Sequence, residues 1–374
     1  MPTLKGMTWD HPRGYACLEA ASALYETQTG ISISWDRRSL QAFADAPIEA
    51  LARDYDLIVL DHPHVGLIAE SGSLSPLTMP EEAAESSIGG SLESYHWRGQ
   101  LWAYPIDAAS QVAVRRPDLC AEPLTHWDEL LRADHREFRL VTPLLPVDAF
   151  DMMMTLVASR GEEDLPVSET EFVSQANGLL ALKVLKTLYR LGPPEAVTWN
   201  PIRVLEMMAT TDDFAQSPCL FGYINYAKLG FRPHMLEYCH LPIFADYERR
   251  RGILGGAGIG VSAQSASEEE AMGFARWVAS EPVQSGVYLE HDGQPAHRAT
   301  WERMGGDPRY TGFLTGARAT MEAAWTRPRA PWFLGFVDAV CEIMPSFFLN
   351  DRSEEAFLRD VNALYRKYRD WEAA

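Results

Sequence analysis

The chain has 374 residues, more than one compact core accommodates and a length that suits two α/β domains. Apolar residues make up 47% of it, and 33 basic against 52 acidic side chains leave a formal charge of −19. That field repels DNA, RNA and anionic lipid, and no apolar run approaches the ~20 residues that span a bilayer, so neither nucleic-acid partners nor membrane insertion is expected.

In chain order, the first third alternates strand and helix. Leu4–Trp9 is a short apolar strand, Tyr15–Glu26 has helical spacing (Leu18, Ala21, Leu24, Tyr25), and Ile31–Trp35 alternates as a strand does. Leu40–Arg53 reads as helix again, and Asp56–Leu60 is the continuous apolar run of a buried parallel strand. Strand, helix, strand, helix, strand predicts a parallel sheet with right-handed crossovers. Tyr95–Asp107 reads as a hairpin feeding an extended segment that continues through Gln111–Arg115. A helix is expected after Thr125 as its N-cap, then a strand over Phe138–Thr142. Ala149–Ser159, Glu171–Leu191 and Asn200–Ala209 read as helices, and Ser217–Tyr226 as strand and loop. A glycine-rich turn, Gly255–Ser262, precedes a helix over Glu268–Ser280, and the chain finishes with a helix over Glu354–Trp371.

Five cysteines (Cys17, Cys120, Cys219, Cys239, Cys341) are scattered, odd in number and without a CxxC pair. That pattern suits reduced, mostly buried thiols and argues against a disulfide framework or zinc site. Met1-Pro2-Thr3-Leu4 leads straight into strand-like sequence without a basic or apolar leader. It is read as cytoplasmic as the sequence stands, and periplasmic if an export signal has been removed.

In open parallel sheets, ligands bind beyond the carboxyl ends of the strands. Here those ends carry Trp9-Asp10-His11, Trp35-Asp36-Arg37-Arg38 and Asp61-His62-Pro63-His64. Trp9, Trp35, Trp102 and Trp199 are candidates to stack on a sugar ring or aliphatic ligand, while Trp127, Trp277 and Trp325 sit in helical patterns and read as core. Arg13, Arg37 and Arg38 could offer a fork to a carboxylate or phosphate, or serve as surface and capping arginines. Arg13, at a helix start, is the first choice among them. His11, Asp61, His62 and His64 could hold a metal or act as acid and base, but their spacing matches no established metal motif, and they are read as hydrogen-bonding groups in a polar cleft. No metal and no cofactor is expected: the nucleophile elbow, the P-loop and the dinucleotide fingerprint are all absent, and glycines 255, 256, 258 and 260 do not have the GxGxxG spacing.

The order of several segments resembles the extracellular solute-binding proteins of family 1, the ligand-capturing subunits of ABC importers. The segments are Tyr55–Asp61, Gly99-Gln100-Leu101-Trp102-Ala103-Tyr104-Pro105, Thr125–Leu130, the Gly255–Ser262 turn with its helix, and Gly293-Gln294-Pro295-Ala296. The resemblance implies an α/β, two-lobed type II periplasmic-binding-protein fold with a ligand cleft between the lobes. Residues 1–107 and about 255–310 would form one lobe and 108–254 the other, with 311–374 packing across both. Pro105–Ala109 and Leu254–Gly258 would be the hinges.

Within that frame the expected ligand contacts are Trp9, His11, Arg13, Trp35, Asp61 and His62 from the first lobe. Tyr104, Asp107 and Gln111 along the crossing strand, Trp199, Tyr223 and Asn225 in the second lobe, and Gly256 in the turn complete them. The expected function is capture of a small polar solute (a sugar, polyol or hydroxylated organic acid) by lobe closure, with an ABC-transporter permease as partner. The alternative is a cytoplasmic enzyme on the same fold, with Asp10, His11, Asp61 and His62 as acid–base residues acting on a small organic acid or thioester.

Overall fold

The computed structural model describes residues 3–39, 48–80, 86–132 and 139–372. In chain order the strands are β1 (Thr3–Trp9), β2 (Ser32–Arg38), β3 (Leu57–Leu60), β4 (His96–Trp97), β5 (Gln100–Leu101), β6 (Tyr104–Arg115), β7 (Gln216–Phe221), β8 (Glu237–Cys239) and β9 (Leu254–Val261). The principal helices are α1 (Pro12–Thr29), α2 (Ile48–Asp54), α3 (Val65–Ser71), α4 (Trp127–Arg132), α5 (Pro146–Ala158), α6 (Gln175–Leu191), α7 (Pro201–Thr210), α8 (Glu268–Val278), α9 (Trp332–Leu349) and α10 (Glu354–Glu372). The chain divides into two compact units, Met1–Ala109 with Gly255–Asp307 and Ser110–Leu254 with Pro308–Ala374.

In the first unit β1 pairs in parallel with β2 on one side and β3 on the other, as the alternating strand–helix pattern requires. Helix α1 starts at Pro12, three residues before the apolar periodicity does, because proline suits the first helical position and His11 caps it. It ends at Gly30, whose φ of 77° closes the left-handed C-cap. Strand β2 runs on past Trp35 to Arg38, fully in register with β1, so Trp35 lies within the strand and not at its end. Of the helix expected over Leu40–Arg53, α2 covers the second half, and residues 40–47 lie outside the described residues. The β4–β5 hairpin turns through Arg98 and Gly99 with φ of 51° and 78°, the mirror-image turn that matches strand twist.

The glycine-rich stretch is a correction to the sequence reading. Residues 254–261 are not a turn but strand β9, antiparallel to β3 over four register pairs. The glycines serve close approach: a Cβ on Gly258 would lie 2.8 Å from the Tyr95 ring, and one on Gly260 2.6 Å from Leu74. Only Gly256 needs glycine for its backbone angle, φ 104°. Leu4, Leu18, Leu57, Ile58, Val59, Ile259 and Phe274 fill this unit's core.

In the second unit β6 pairs antiparallel with both β7 and β8. The strand expected over Phe138–Thr142 reduces to one bridge, Leu140 to Gln216, and Phe138 lies outside the described residues. Helix α4 begins at Trp127, and the Thr125 hydroxyl donates to Glu129 Oε1 (3.3 Å), a side-chain contact in place of the expected N-cap. Helix α6 starts at Gln175 rather than Glu171, because Ser174 supplies the capping oxygen to Asn177 N–H. The C-terminal stretch, expected to pack across both lobes, contributes α9 and α10 to this unit's core. Helix α9 is long and apolar enough to cross a membrane by length and composition, contrary to the expectation that no apolar run approaches that length. Its Phe336, Val340, Met344 and Phe347 are buried against α5 and α10 residues such as Phe150 and Phe357. A core helix has the same composition.

Candidate functional site

The β1–β3 register pairs Gly6 with Leu57 and Met7 with Ile58, which sets Trp9 level with Leu60. The loops that follow, Asp10-His11 and Asp61-His62, therefore leave the sheet side by side at one edge of the first unit. Trp9 is 4% exposed and lies so close over the start of α1 that a Cβ on Gly14 would stand 2.4 Å from its ring. Asp10 is exposed. His11 Nδ1 accepts a hydrogen bond from the Arg13 backbone N–H (3.1 Å), so the ring caps the helix and its proton sits on Nε2.

Arg13 does not present its fork to a ligand. Its Nε donates to Asp107 Oδ2 at 2.7 Å and a second guanidinium nitrogen donates to Oδ1, with both side chains buried. Both residues belong to the first unit. Burial pushes its carboxyl upward, Arg13 opposes that rise, and the Asp61 carboxylate adds to it. Behind this pair the Cys17 thiol donates to the Arg13 carbonyl (3.2 Å), and burial pushes its pKa up to about 12.

Asp61 caps a short 3₁₀ turn, accepting from the His62 N–H at 2.7 Å, and the same oxygen lies 3.0 Å from His62 Nδ1. The Asp61 side chain is 27% exposed while His62 is buried edge-on to Tyr95. His64 Nδ1 is 3.2 Å from the Asp61 carbonyl. Among the described residues no group of three or more His, Cys, Asp or Glu is arranged to hold a metal ion.

The crossing segment is held by the loop that carried part of the resemblance. Gln294 is buried, and its side-chain amide donates to the Ala108 carbonyl at 2.7 Å while its backbone carbonyl accepts from Ala108 N–H. A Cβ on Gly256 would meet the Asp107 carbonyl oxygen at 2.2 Å, so glycine lets β9 pass that backbone. The Tyr104 hydroxyl donates to the Thr78 carbonyl (2.7 Å).

Trp35 has a packing role. Its ring covers Gly6 and tilts onto Phe274 (6.2 Å), and its Nε1 donates to Ser22 at 2.9 Å. Trp277 packs beside it against Tyr25 and Phe274, and in the second unit Trp127 lies in the core as expected; Trp325 is in the core too, but in an isolated bridge to Ile253 instead of the helical pattern expected. Trp102 is buried with Nε1 donating to the Trp97 carbonyl. Arg37 pairs with Glu19 and lies 3.5 Å over the Tyr15 ring, and Arg38 faces Tyr55.

In the second unit, Gln111 Oε1 accepts from Thr155 (2.5 Å) and from Cys219 (3.4 Å). Trp199 is half-buried, edge-on to Phe214, with the Arg203 guanidinium 5.6 Å from its ring. Tyr223 and Asn225 are buried, and the Tyr223 backbone is bracketed by the Tyr238 hydroxyl. A polar stripe here escaped the sequence reading. Asp148, Asp151 and Thr155 recur at helical spacing along one face of the otherwise apolar α5, and Arg327 lies 3.6 Å from Asp151. Burial, reinforced by the Asp151 carboxylate, pushes Asp148 well above the usual carboxylate range. The i, i+3, i+7 polar pattern was the available signal.

The fold has counterparts among known proteins. The chain is similar to an ABC transporter solute-binding protein from Thermotoga lettingae TMO bound with alpha-D-tagatose, with a TM-score of 0.82 at 18% identity over 98% of this chain and 100% of that one. A maltose-bound T. maritima protein superposes with a TM-score of 0.81 at 16% identity, covering 98% and 99%. An ABC transporter solute-binding protein from Agrobacterium radiobacter K84, in complex with ribitol, gives 0.78 at 19% identity, covering 98% of each. These likenesses establish the fold, that of the periplasmic solute-binding proteins. The family described as bacterial extracellular solute-binding protein matches residues 20–295, and the chain belongs to that family.

Proposed function

We propose that the protein reversibly captures a sugar or polyol at the strand-end edge of its first unit and delivers it to an ABC-transporter permease. The observation that carries this reading is the Asp61 carboxylate, partly exposed and oriented by the His62 N–H, at the same sheet edge as the exposed Asp10. A fixed carboxylate accepts from sugar hydroxyls. The bound tagatose, maltose and ribitol of the similar structures support the ligand class. The extracellular description of the family supports work outside the cytoplasm. His11 and His62 are engaged as a helix cap and as an Asp61 partner, which favours binding over acid–base chemistry.

A thermal-shift screen over sugars, polyols and carboxylates tests the reading. A ligand at 100 times its dissociation constant adds about 2.7 kcal/mol of stability. Asp61→Ala is expected to weaken the best ligand by about tenfold or more, ~1.4 kcal/mol, in calorimetry. If no sugar or polyol raises the melting temperature, the ligand class is wrong; if Asp61→Ala binds as tightly as the parent, the location is.

A further inference from the structure

Two of the five cysteines are brought to the same corner of the second unit. The β6–β8 register sets Ala113 opposite Cys239 and Arg115 opposite Glu237, so Arg115, Glu237 and Cys239 share one face of the sheet. Arg115 extends across that face. Its guanidinium donates to Glu237 Oε1 at 2.9 Å and to the carbonyls of Cys120 (3.1 Å) and Ala121. The turn carrying Cys120 is fixed from the other side as well: Cys120 N–H donates to the Arg116 carbonyl at 2.8 Å, and the buried Arg116 is bound to Asp118 and Asp212. Arg115 therefore holds the Cys120 backbone over the strand that bears Cys239, and both thiols are partly exposed. Cys120 lies close enough to bear on the ionisation of Cys239.

We propose that Cys120 and Cys239 are a redox-responsive thiol pair that closes an intramolecular disulfide between the turn after β6 and strand β8. The co-reactant is a low-molecular-weight disulfide. One protein thiolate attacks a sulfur of that disulfide and expels the first small thiolate, leaving a mixed disulfide. The second protein thiolate then attacks the protein sulfur and expels the second. The protein is oxidised by two electrons, the small disulfide is reduced to two thiols, and the two cysteine protons end on those leaving groups. This assignment goes beyond solute capture and revises the sequence reading that all five thiols stay reduced.

Burial pushes the Cys239 thiol up to about 11, with Glu237 adding to the rise and Arg115 opposing it, and burial raises Cys120 too. Attack is accordingly slow at neutral pH and accelerates with alkali. Cys17 and Cys219 are fully buried and do not compete. Cys341, half-buried on α9, is replaced by serine for the test.

The native Cys341→Ser protein is incubated with oxidised glutathione and followed by intact mass and peptide mapping. The expected product has lost two hydrogens, retains no glutathione, yields a Cys120–Cys239 linked peptide and is reversed by dithiothreitol. Its rate rises about tenfold per pH unit from about pH 7 to about pH 9. Adding Cys120→Ser or Cys239→Ser is expected to leave one stable glutathione adduct on the remaining thiol. Glutathione retained on both cysteines with no linked peptide, or a linked peptide that forms only in denaturant, overturns the proposal.

Discussion

Arg13 and Asp107, 94 residues apart in sequence, form a two-pronged ion pair inside the first unit with both side chains buried. The pair joins the first turn of α1 to β6 behind the edge that carries Asp10 and Asp61. It positions that edge without offering a free charge to solute. A buried pair of this kind is weak evidence of net stabilisation, but removing one partner strands the other in a dry interior. Arg13→Ala and Asp107→Ala are each expected to cost ~3–5 kcal/mol in urea unfolding. The double replacement Arg13→Met with Asp107→Leu should cost less than either, because no charge is left behind. If the three losses simply add, the two groups are not coupled as the geometry requires.

Gly256 gives a sharper steric test. A methyl group there would meet the Asp107 carbonyl oxygen at 2.2 Å, and its φ of 104° disfavours any L side chain. Gly256→Ala is expected to lower stability by ~2 kcal/mol or more. Gly306→Ala, with open space around it, should change stability by no more than ~0.5 kcal/mol. Thermal melting of both variants checks the contrast.

His11 is expected to behave as a cap. His11→Ala should cost ~1 kcal/mol by losing the acceptor for Arg13 N–H, and His11→Asn, a good capping residue, should restore most of it. Calorimetry on His11→Asn adds the functional side: retained solute affinity confirms capping, whereas lost affinity at full stability returns His11 to the ligand contacts.

Asp148 sets a pH dependence. Its folded-state pKa is raised above the unfolded value, so below ~4 the carboxyl is protonated in both states and imposes no penalty. As pH rises, the unfolded chain releases the proton first and the folded state loses ground. Asp148→Asn is expected to be more stable than the parent at pH 7 by on the order of 1 kcal/mol, with the gap closing toward pH 4. Denaturant midpoints at the two pH values decide it; a gap that widens toward acid would show that Asp148 is ionised in the fold.

Local chemistry made some of the site legible in advance. The apolar run Leu57–Leu60 followed by Asp61-His62 announced a buried parallel strand ending in polar residues, and the fold keeps that arrangement. Gln294 was visible only as part of a resemblance; its clamp on Ala108 supplies the physical reason. Trp35 shows the limit of such reading. Apolar alternation fades after it, yet backbone pairing with β1 carries the strand three residues further and turns the ring onto Gly6 and Phe274. The glycines of 255–260 had the composition of a turn, but pairing with β3 and the bulk of Tyr95 and Leu74 make them a strand.

By itself, the sequence determined the strand–helix alternation of the first third and the Trp127 core position. Those features depend on neighbours within one or two turns of chain. Only the tertiary structure decided that Arg13 answers Asp107 rather than a solute, that Asp148 and Asp151 are buried together with Arg327 close by, and that Arg115 links the Cys120 carbonyl to Glu237, two residues before Cys239. Each of these depends on which distant backbone passes within a few ångströms, and a charged or nucleophilic side chain takes its role from whatever partner that approach supplies.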